Sequence, residues 1–123
     1  MEVTNIINTQ ELKKLTAGGD SYIRTKDGEV KGLAITKKKN PKAPNIITVS
    51  NKGPRIIKNA ELLAKTTIAV PVYIKLGVNQ WRYSGKYKVT RFSKSHEDIL
   101  LYHGERPVNE IYGILFLEKK GID

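Results

Sequence analysis

Hydrophobic and polar residues alternate over two long segments of the chain, a pattern typical of half-buried β-strands. Apolar residues occupy every second position from Val70 to Leu76. From Trp81 to Val89, aromatic residues alternate with cations, which predicts one aromatic and one cationic face. Shorter apolar or β-branched runs predict further strands at 22–24, 30–36, 46–49, 99–102 and 111–117.

Helices are predicted at two places, one before the first strand and one in the middle of the chain. Asn8 followed by Glu11 has the spacing of a capping box and predicts a short helix over 9–17. Asn59 is expected to cap a second helix that ends near Lys65. The pattern indicates a single domain over residues 1–123, an α+β fold in which a small, curled, partly open antiparallel β-barrel is flanked by two or three short helices.

Two polar loops interrupt the strands in the middle of the chain. Residues 37–44 hold four lysines and two prolines, and residues 50–55 combine glycine, proline and cations. Proline cannot donate to a central strand ladder, so both segments are expected to be loops. We expect them to frame one pocket.

The positive charge is concentrated in the same region. The net charge is +10, and residues 31–60 contain eight lysines and arginines with no acidic residue. Such an excess favours a polyanionic partner, nucleic acid first and an anionic membrane surface second. The chain has no cysteine, no apolar run long enough to span a membrane and no signal-peptide pattern at its N-terminus. We therefore expect a cytoplasmic, nucleoid-associated protein that is not embedded in a membrane.

Catalytic signatures are missing from the sequence. The two histidines, His96 and His103, lack the further ligands that a metal site needs, and no nucleophile, zinc or P-loop motif is present. We expect a binding domain without metal, cofactor or catalytic residues, whose catalytic partner lies on another domain or chain.

Four segments in order resemble the SRA (YDG) domains over roughly residues 27–92. Residues 82–89 (RYSGKYKV) resemble the family's Tyr-Asp-Gly segment, and 59–63 (NAELL) with 71–74 (PVYI) resemble its Asn-x-Ala-Leu helix and Pro-Val-Arg-Val strand. Residues 47–55 (ITVSNKGPR) resemble its glycine-rich loop. The resemblance implies a PUA-like barrel that binds duplex DNA and rotates a modified cytosine into a pocket, serving a modification-dependent restriction or defence nuclease.

The resemblance also places pocket residues. The family's pocket aspartate falls at Asn40, its threonine at Ser50, and its two base-stacking tyrosines at Lys37 and Val49. Because both aromatics are replaced, we expect the stacking platform to come from Tyr22, Trp81 or Tyr83. Asn40 would accept from the N4 amino group of cytosine and donate to N3, and Gly53 would let the backbone approach the ligand.

Phosphate contacts are expected from the loop lysines and from the cationic face of the long strand. The candidates are Lys37, Lys38, Lys39, Lys42, Lys52, Arg55, Arg82, Lys86 and Lys88. Two alternatives remain: a PUA-like RNA binder or phosphorothioate reader, and a non-specific basic adaptor. A monomer is expected for the isolated domain, with a nuclease or motor domain as a further partner.

Overall fold

The structure, a computed structural model, describes residues 6–18, 21–38 and 40–120. It is an α+β fold with seven strands and three α-helices among these residues. The strands are β1 (Ile6–Ile7), β2 (Ile23–Lys26), β3 (Glu29–Ile35), β4 (Ile46–Ser50), β5 (Val70–Gly77), β6 (Gln80–Ser93) and β7 (Ile111–Lys120). The helices are α1 (Thr9–Leu15), α2 (Pro54–Lys65) and α3 (His96–Tyr102), and a 3₁₀ turn spans Val108–Glu110.

The strands form one curled sheet in the order β2-β3-β5-β6-β7-β4, with β1 added beside β6. β3 and β5 pair in parallel, and the other pairs are antiparallel. The predicted α+β class, the curled open sheet and the short flanking helices are therefore confirmed. The prediction of an antiparallel barrel is wrong, because the chain crosses from β3 to β5 through β4 and α2 and so returns in the same direction.

Helix α2 covers the inner face of the sheet and packs on strands at both edges of the half-barrel. The main core lies beneath it and includes Leu33, Ile47, Leu63 and Leu115, each at most 2% exposed. The outer face carries two smaller apolar clusters, one under α1 around Leu12 and one under α3. Each helix therefore buries one apolar stripe against the sheet.

A β-bulge in β6 changes which side chains share a face. Val72 is opposite Gly85 and Tyr73 is opposite Tyr83, so Ser84 is an extra residue in β6. Gly85 has a φ of 112°, which favours glycine. Trp81 and Tyr83 belong to the outer cluster and Tyr87 to the inner core. The prediction of one aromatic face is wrong, because the bulge inverts the alternation.

Two helix predictions also need correction. Helix α2 begins at Pro54, with Gly53 as its cap, and Asn59 lies in its interior rather than at its start. Residues 99–102, expected to be a strand, lie in α3, which begins after the cap Ser95, whose side chain accepts from the amide of Asp98. The acidic residues that follow Ser95 favour a helix start, and this local signal outweighs the short apolar run.

Among the described residues, no helix combines the length and the apolar character that crossing a membrane requires.

Gly32 lets the end of α1 lie close to β3, and its replacement should destabilise the fold. A Cβ at Gly32 would lie 2.6 Å from Thr16 Cγ2 and 3.0 Å from the carbonyl oxygen of Pro71. We expect Gly32→Ala to lower the free energy of unfolding by about 1–3 kcal/mol, measured by urea denaturation. Gly18→Ala is the control, since a Cβ there meets no atom within 4 Å. Equal stability of the two variants would contradict this packing.

Candidate functional site

A cavity of about 440 Å³ lies on the outer face of the sheet. Four adjacent strands form its floor: Arg24 comes from β2, Ala34 from β3, Lys75 from β5 and Trp81 from β6. Alternation places these side chains on the face opposite the main core. The remaining lining residues described are Thr9, Lys13, Tyr22, Thr36, Asn40 and Arg106.

Helix α1 forms one wall of the cavity, and its position is fixed at its first turn. Asn8 and Glu11 form the predicted capping box, with bonds of 2.8 and 2.9 Å between each side chain and the other's backbone amide. Trp81 Nε1 donates to Thr9 Oγ1 at 3.2 Å, which ties the helix start to β6. These contacts place Thr9 and, one turn later, Lys13 at the cavity.

Asn40 is held by edge strand β4. Its Oδ1 accepts from the backbone amide of Thr48 at 2.8 Å and from Thr48 Oγ1 at 3.0 Å. Because a backbone N–H can only donate, the side-chain oxygen must face β4 and Nδ2 must face away. Among the described residues nothing accepts from Nδ2, so the amide is left as a donor. The expectation that Asn40 accepts from a cytosine N4 amino group is therefore wrong, because its acceptor is already engaged.

Arg106 reaches the same cavity from the loop after α3. Its Nε donates to Thr48 Oγ1 at 3.1 Å, so one threonine binds both Asn40 and Arg106. His103 Nδ1 lies 2.9 Å from the carbonyl oxygen of Arg106, which makes that nitrogen the donor and holds the turn closed. With Nε engaged, the terminal guanidinium nitrogens remain to bind a ligand.

Tyr22 places a hydroxyl in the cavity wall without a partner. Its oxygen is fully buried, and no residue in the described part of the chain bonds to it. Burial raises the pKa of Tyr22 to about 12, and the positive charge of Arg106 opposes the rise. The hydroxyl is therefore protonated at neutral pH and can donate or accept. A buried polar group with no partner is uncommon in folded proteins.

The described lining is strongly cationic. It contains Lys13, Arg24, Lys75 and Arg106 and no acidic residue. Lys75 Nζ also lies 5.8 Å from the ring centre of Trp81, and Arg24 Nη1 donates to the carbonyl oxygen of Ala17 at 3.2 Å. Like charges held together in a cleft create a positive potential that attracts anions.

The lysine loop extends this charge beyond the cavity. Lys37 and Lys38 line a second depression of about 400 Å³ together with Thr36 and Lys75, which also line the first cavity. The two depressions are therefore contiguous. Arg24 is buried, and we call the other cations of the two depressions, taken together, the cationic surface: Lys13, Lys37, Lys38, Lys75 and Arg106.

The predicted pocket residues separate into two groups. Tyr22, Asn40 and Trp81 line the cavity. The other four do not line it. Val49 is buried in the main core, and the hydroxyl of Ser50 accepts from the amide of Lys52. Gly53 is the cap of α2, and Tyr83 packs against Tyr73.

The expectation that both polar loops frame one pocket is also corrected. Asn40, from loop 37–44, lines the cationic cavity. Arg55, the last residue of loop 50–55, lies in the first turn of α2. It lines a different cavity, on the inner side of β2. Strand β4 separates the two loops, since one precedes it and the other follows it.

The predicted phosphate contacts are likewise dispersed. Lys42 lies 5.9 Å from the ring centre of Tyr102, and Lys52 pairs with Glu110 at 3.6 Å. Lys39 lies outside the described residues.

The bulge at Ser84 also divides the cations of β6. Arg82 is opposite Ile74, an inner-face residue, whereas Lys86 is opposite Pro71, which lies on the outer face. Lys88 follows Lys86 on that outer face. The three side chains therefore do not form the single cationic face that the alternation predicts.

Seven described cavity residues were not among the predicted site residues: Thr9, Lys13, Arg24, Ala34, Thr36, Lys75 and Arg106. Lys75 alternates with the apolar positions of its strand, so an outward direction could be read from the sequence. Nothing in the sequence indicated that this direction leads into a cavity, because the wall opposite it comes from distant segments.

Neither a metal site nor a related protein identifies a further residue of the candidate site. The described residues contain no group of three or more histidine, cysteine or acidic side chains that could hold a metal ion. Comparisons with protein-family models, curated proteins and solved structures find no match to this chain. The resemblance to SRA domains therefore stays a prediction.

The hydroxyl of Tyr22 should contribute nothing to stability if it has no internal partner. We expect Tyr22→Phe to leave the free energy of unfolding unchanged or raise it by up to about 1 kcal/mol, because an unsatisfied polar atom is removed. The control, Tyr112→Phe, loses a 2.6 Å bond to Glu61 Oε2 and should be less stable by about 1 kcal/mol. Denaturant unfolding of both variants decides the matter, and equal losses would show that Tyr22 has a partner.

Proposed function

We propose that this chain is a DNA-binding domain that contacts backbone phosphates through the cationic surface and takes one nucleotide into the cavity. The observation that carries the proposal is that the cavity adjoins the depression beside Lys37 and Lys38. In the cavity, Asn40 Nδ2 and the terminal nitrogens of Arg106 are donors without an acceptor among the described residues. The high positive charge of residues 31–60 agrees with it.

Phosphate binding follows from the charge arrangement. Each lysine or arginine placed at a phosphate releases a counterion, which favours binding at low salt. A surface that is basic only for solubility has acidic residues interspersed. In the described part of the chain no carboxylate pairs with Lys13, Lys75 or Arg106.

A nucleotide explains the cavity better than a phosphate alone. The volume of the cavity, about 440 Å³, lies within the range of small-molecule sites. Asn40 Nδ2 and the terminal nitrogens of the Arg106 guanidinium are donors. The base would therefore be bound through acceptors, such as O2 and N3 of cytosine. Those atoms are paired in a duplex, so the nucleotide must leave the stack first.

In this proposal the chain recognises and another polypeptide acts. A base carrying a modification would be admitted or rejected by the fit of its substituent in the cavity, and a nuclease or motor on another domain or chain would perform the cleavage. This retains the modified-cytosine hypothesis but replaces the Asn40 acceptor with a set of donors.

Lys75 should contribute directly to phosphate binding, since it lines both depressions. We expect Lys75→Ala to weaken duplex binding and to reduce the slope of log K against log salt by about 0.9, the loss of one phosphate contact. Lys31→Ala removes the same charge from a residue paired with Glu29 at 2.8 Å and should leave the slope unchanged. Fluorescence anisotropy at several salt concentrations provides both slopes. Equal slopes for the two variants would refute the role of Lys75.

Extrusion of a nucleotide should make binding sensitive to base pairing. We expect a duplex with one mismatch to bind about tenfold more tightly than the matched duplex, because less unpairing energy is required. Asn40→Asp can still accept from Thr48 but loses the donor and adds a negative charge, so it should abolish this preference. Unfolding measurements confirm that the variant is folded.

The same titration separates the alternatives. Duplexes carrying unmodified, methylated, hydroxymethylated or glucosylated cytosine test base discrimination at matched salt. Equal affinity for matched and mismatched duplexes would refute extrusion. Preferential competition by structured RNA, or dependence on backbone sulfur alone, would favour an RNA binder or a phosphorothioate reader instead.

A further inference from the structure

A cavity of about 550 Å³, distinct from the two depressions of the cationic surface, lies on the inner side of β2. Ile23 lines it, whereas the next residue, Arg24, lines the cationic cavity, so the two cavities are on opposite faces of the strand. The walls of the 550 Å³ cavity come from β2, from residues before and after this strand, and from one side of α2. The described lining contains no acidic residue: Gly18, Ser21, Ile23, Thr25, Gly28, Pro54, Arg55, Lys58, Asn59 and Leu62.

Pro54 and Arg55, the first two residues of α2, line this cavity, and the helix start has no side-chain cap. Gly53 supplies no side-chain acceptor, and the first turn has no acidic residue. Pro54 has no N–H, and the amide of Ile57 bonds to the carbonyl oxygen of Gly53. The amides of Arg55 and Ile56 therefore remain, and neither has an acceptor among the described residues.

The charges around this helix start are opposite to those that stabilise a helix. The positive end of the dipole favours acidic side chains, yet the charged residues of the first helical turns that line the cavity are Arg55 and Lys58. Both side chains are exposed and line the cavity. Two cations beside a positive dipole end are compensated if an anion binds between them.

Asn59 supplies independent evidence for a ligand. It lies inside α2, is only 8% exposed and lines the cavity. Its side chain makes no hydrogen bond to any residue that the structure describes. Asparagine is a poor helix former, so helix formation does not explain its place inside α2. Its amide group can donate to an oxygen bound at the helix start one turn away.

We infer that this cavity is a second anion site, which binds a phosphate group through the Arg55 and Ile56 amides, the Arg55 and Lys58 side chains and Asn59 Nδ2. The hydroxyls of Ser21 and Thr25 are further donors in the lining. The phosphate group belongs either to a nucleic-acid backbone or to a small phosphorylated molecule. The site is separate from the cationic cavity and does not require the proposed function.

The test is a titration of the ¹⁵N-labelled full chain with inorganic phosphate, with sodium chloride holding the ionic strength constant. We expect saturable shifts of the Arg55 and Ile56 amide resonances. Arg55→Ala should weaken phosphate binding about fivefold or more, because a charge-assisted contact is lost. Asn59→Asp, similar in size, should weaken it about tenfold or more through repulsion of the anion. Lys65→Ala, in the exposed last turn of the same helix, is the charge-matched control.

Each outcome is decisive for the site. Equal phosphate affinity in all variants, or amide shifts no larger than those in chloride, would overturn it. If Asn59→Asp does not fold, the exposed Arg55→Ala still provides the comparison with Lys65→Ala. Because no DNA is present, failure here leaves the proposed function untouched.

A duplex titration then identifies the source of the phosphate. A salt slope smaller by about 0.9 in Arg55→Ala than in Lys65→Ala supports the site with a backbone phosphate as its ligand. Equal slopes, together with the lost phosphate response, support the site with a small phosphorylated ligand.

Discussion

Thr48 joins the two segments on which the cationic cavity depends. Its amide and hydroxyl donate to Asn40, eight residues earlier, and its hydroxyl oxygen accepts from Arg106, 58 residues later. Since Thr48 is 3% exposed and belongs to β4, the network rests on the sheet rather than on either loop. A buried polar network in which these atoms are bonded holds its members in one geometry. Without it, neither Asn40 nor Arg106 would be held against the sheet.

The same network determines the chemistry of the site. Hydrogen bonds to Thr48 engage the only acceptor of Asn40 and one donor of Arg106. The groups that remain toward the cavity are donors. Tyr22, which also lines the cavity, is neutral at physiological pH because burial raises the pKa of its hydroxyl to about 12. A donor-rich cavity selects ligands by their acceptors and rejects amino groups that would find no partner.

The sequence predicted much of the fold because its signals are local. The capping box at Asn8 and the burial of Val70, Val72 and Ile74 in the alternating strand depend on neighbouring residues and were confirmed, whereas Leu76, at the end of the predicted alternation, is exposed. The faces of β6 were not predictable in this way. One extra residue, Ser84, inverts the side-chain alternation beyond it, and the pairing that reveals it lies on another strand.

The site was predictable only in part, for the same reason. Tyr22, Asn40 and Trp81 were selected individually and do line one cavity. The positional match that placed a base contact at Val49 failed, because that side chain is fully buried in the core. Lys13 and Lys75 were missed because only the tertiary arrangement of α1 over the sheet brings them together.

The distribution of acidic residues separates a binding surface from a merely basic one. Glu61 bonds to Lys94 and Tyr112, Asp98 to Arg91, and Glu110 to Lys52, all outside the cationic surface. Hydrogen bonds from Lys94 and Tyr112 lower the pKa of Glu61, so this carboxylate stays ionised and engaged. Chains selected only for solubility gain by mixing both signs, because clustered like charges destabilise the folded state. In the described chain no carboxylate pairs with Lys13, Lys75 or Arg106, so the repulsion among these cations destabilises the folded state. An anionic ligand that binds between them would offset this repulsion.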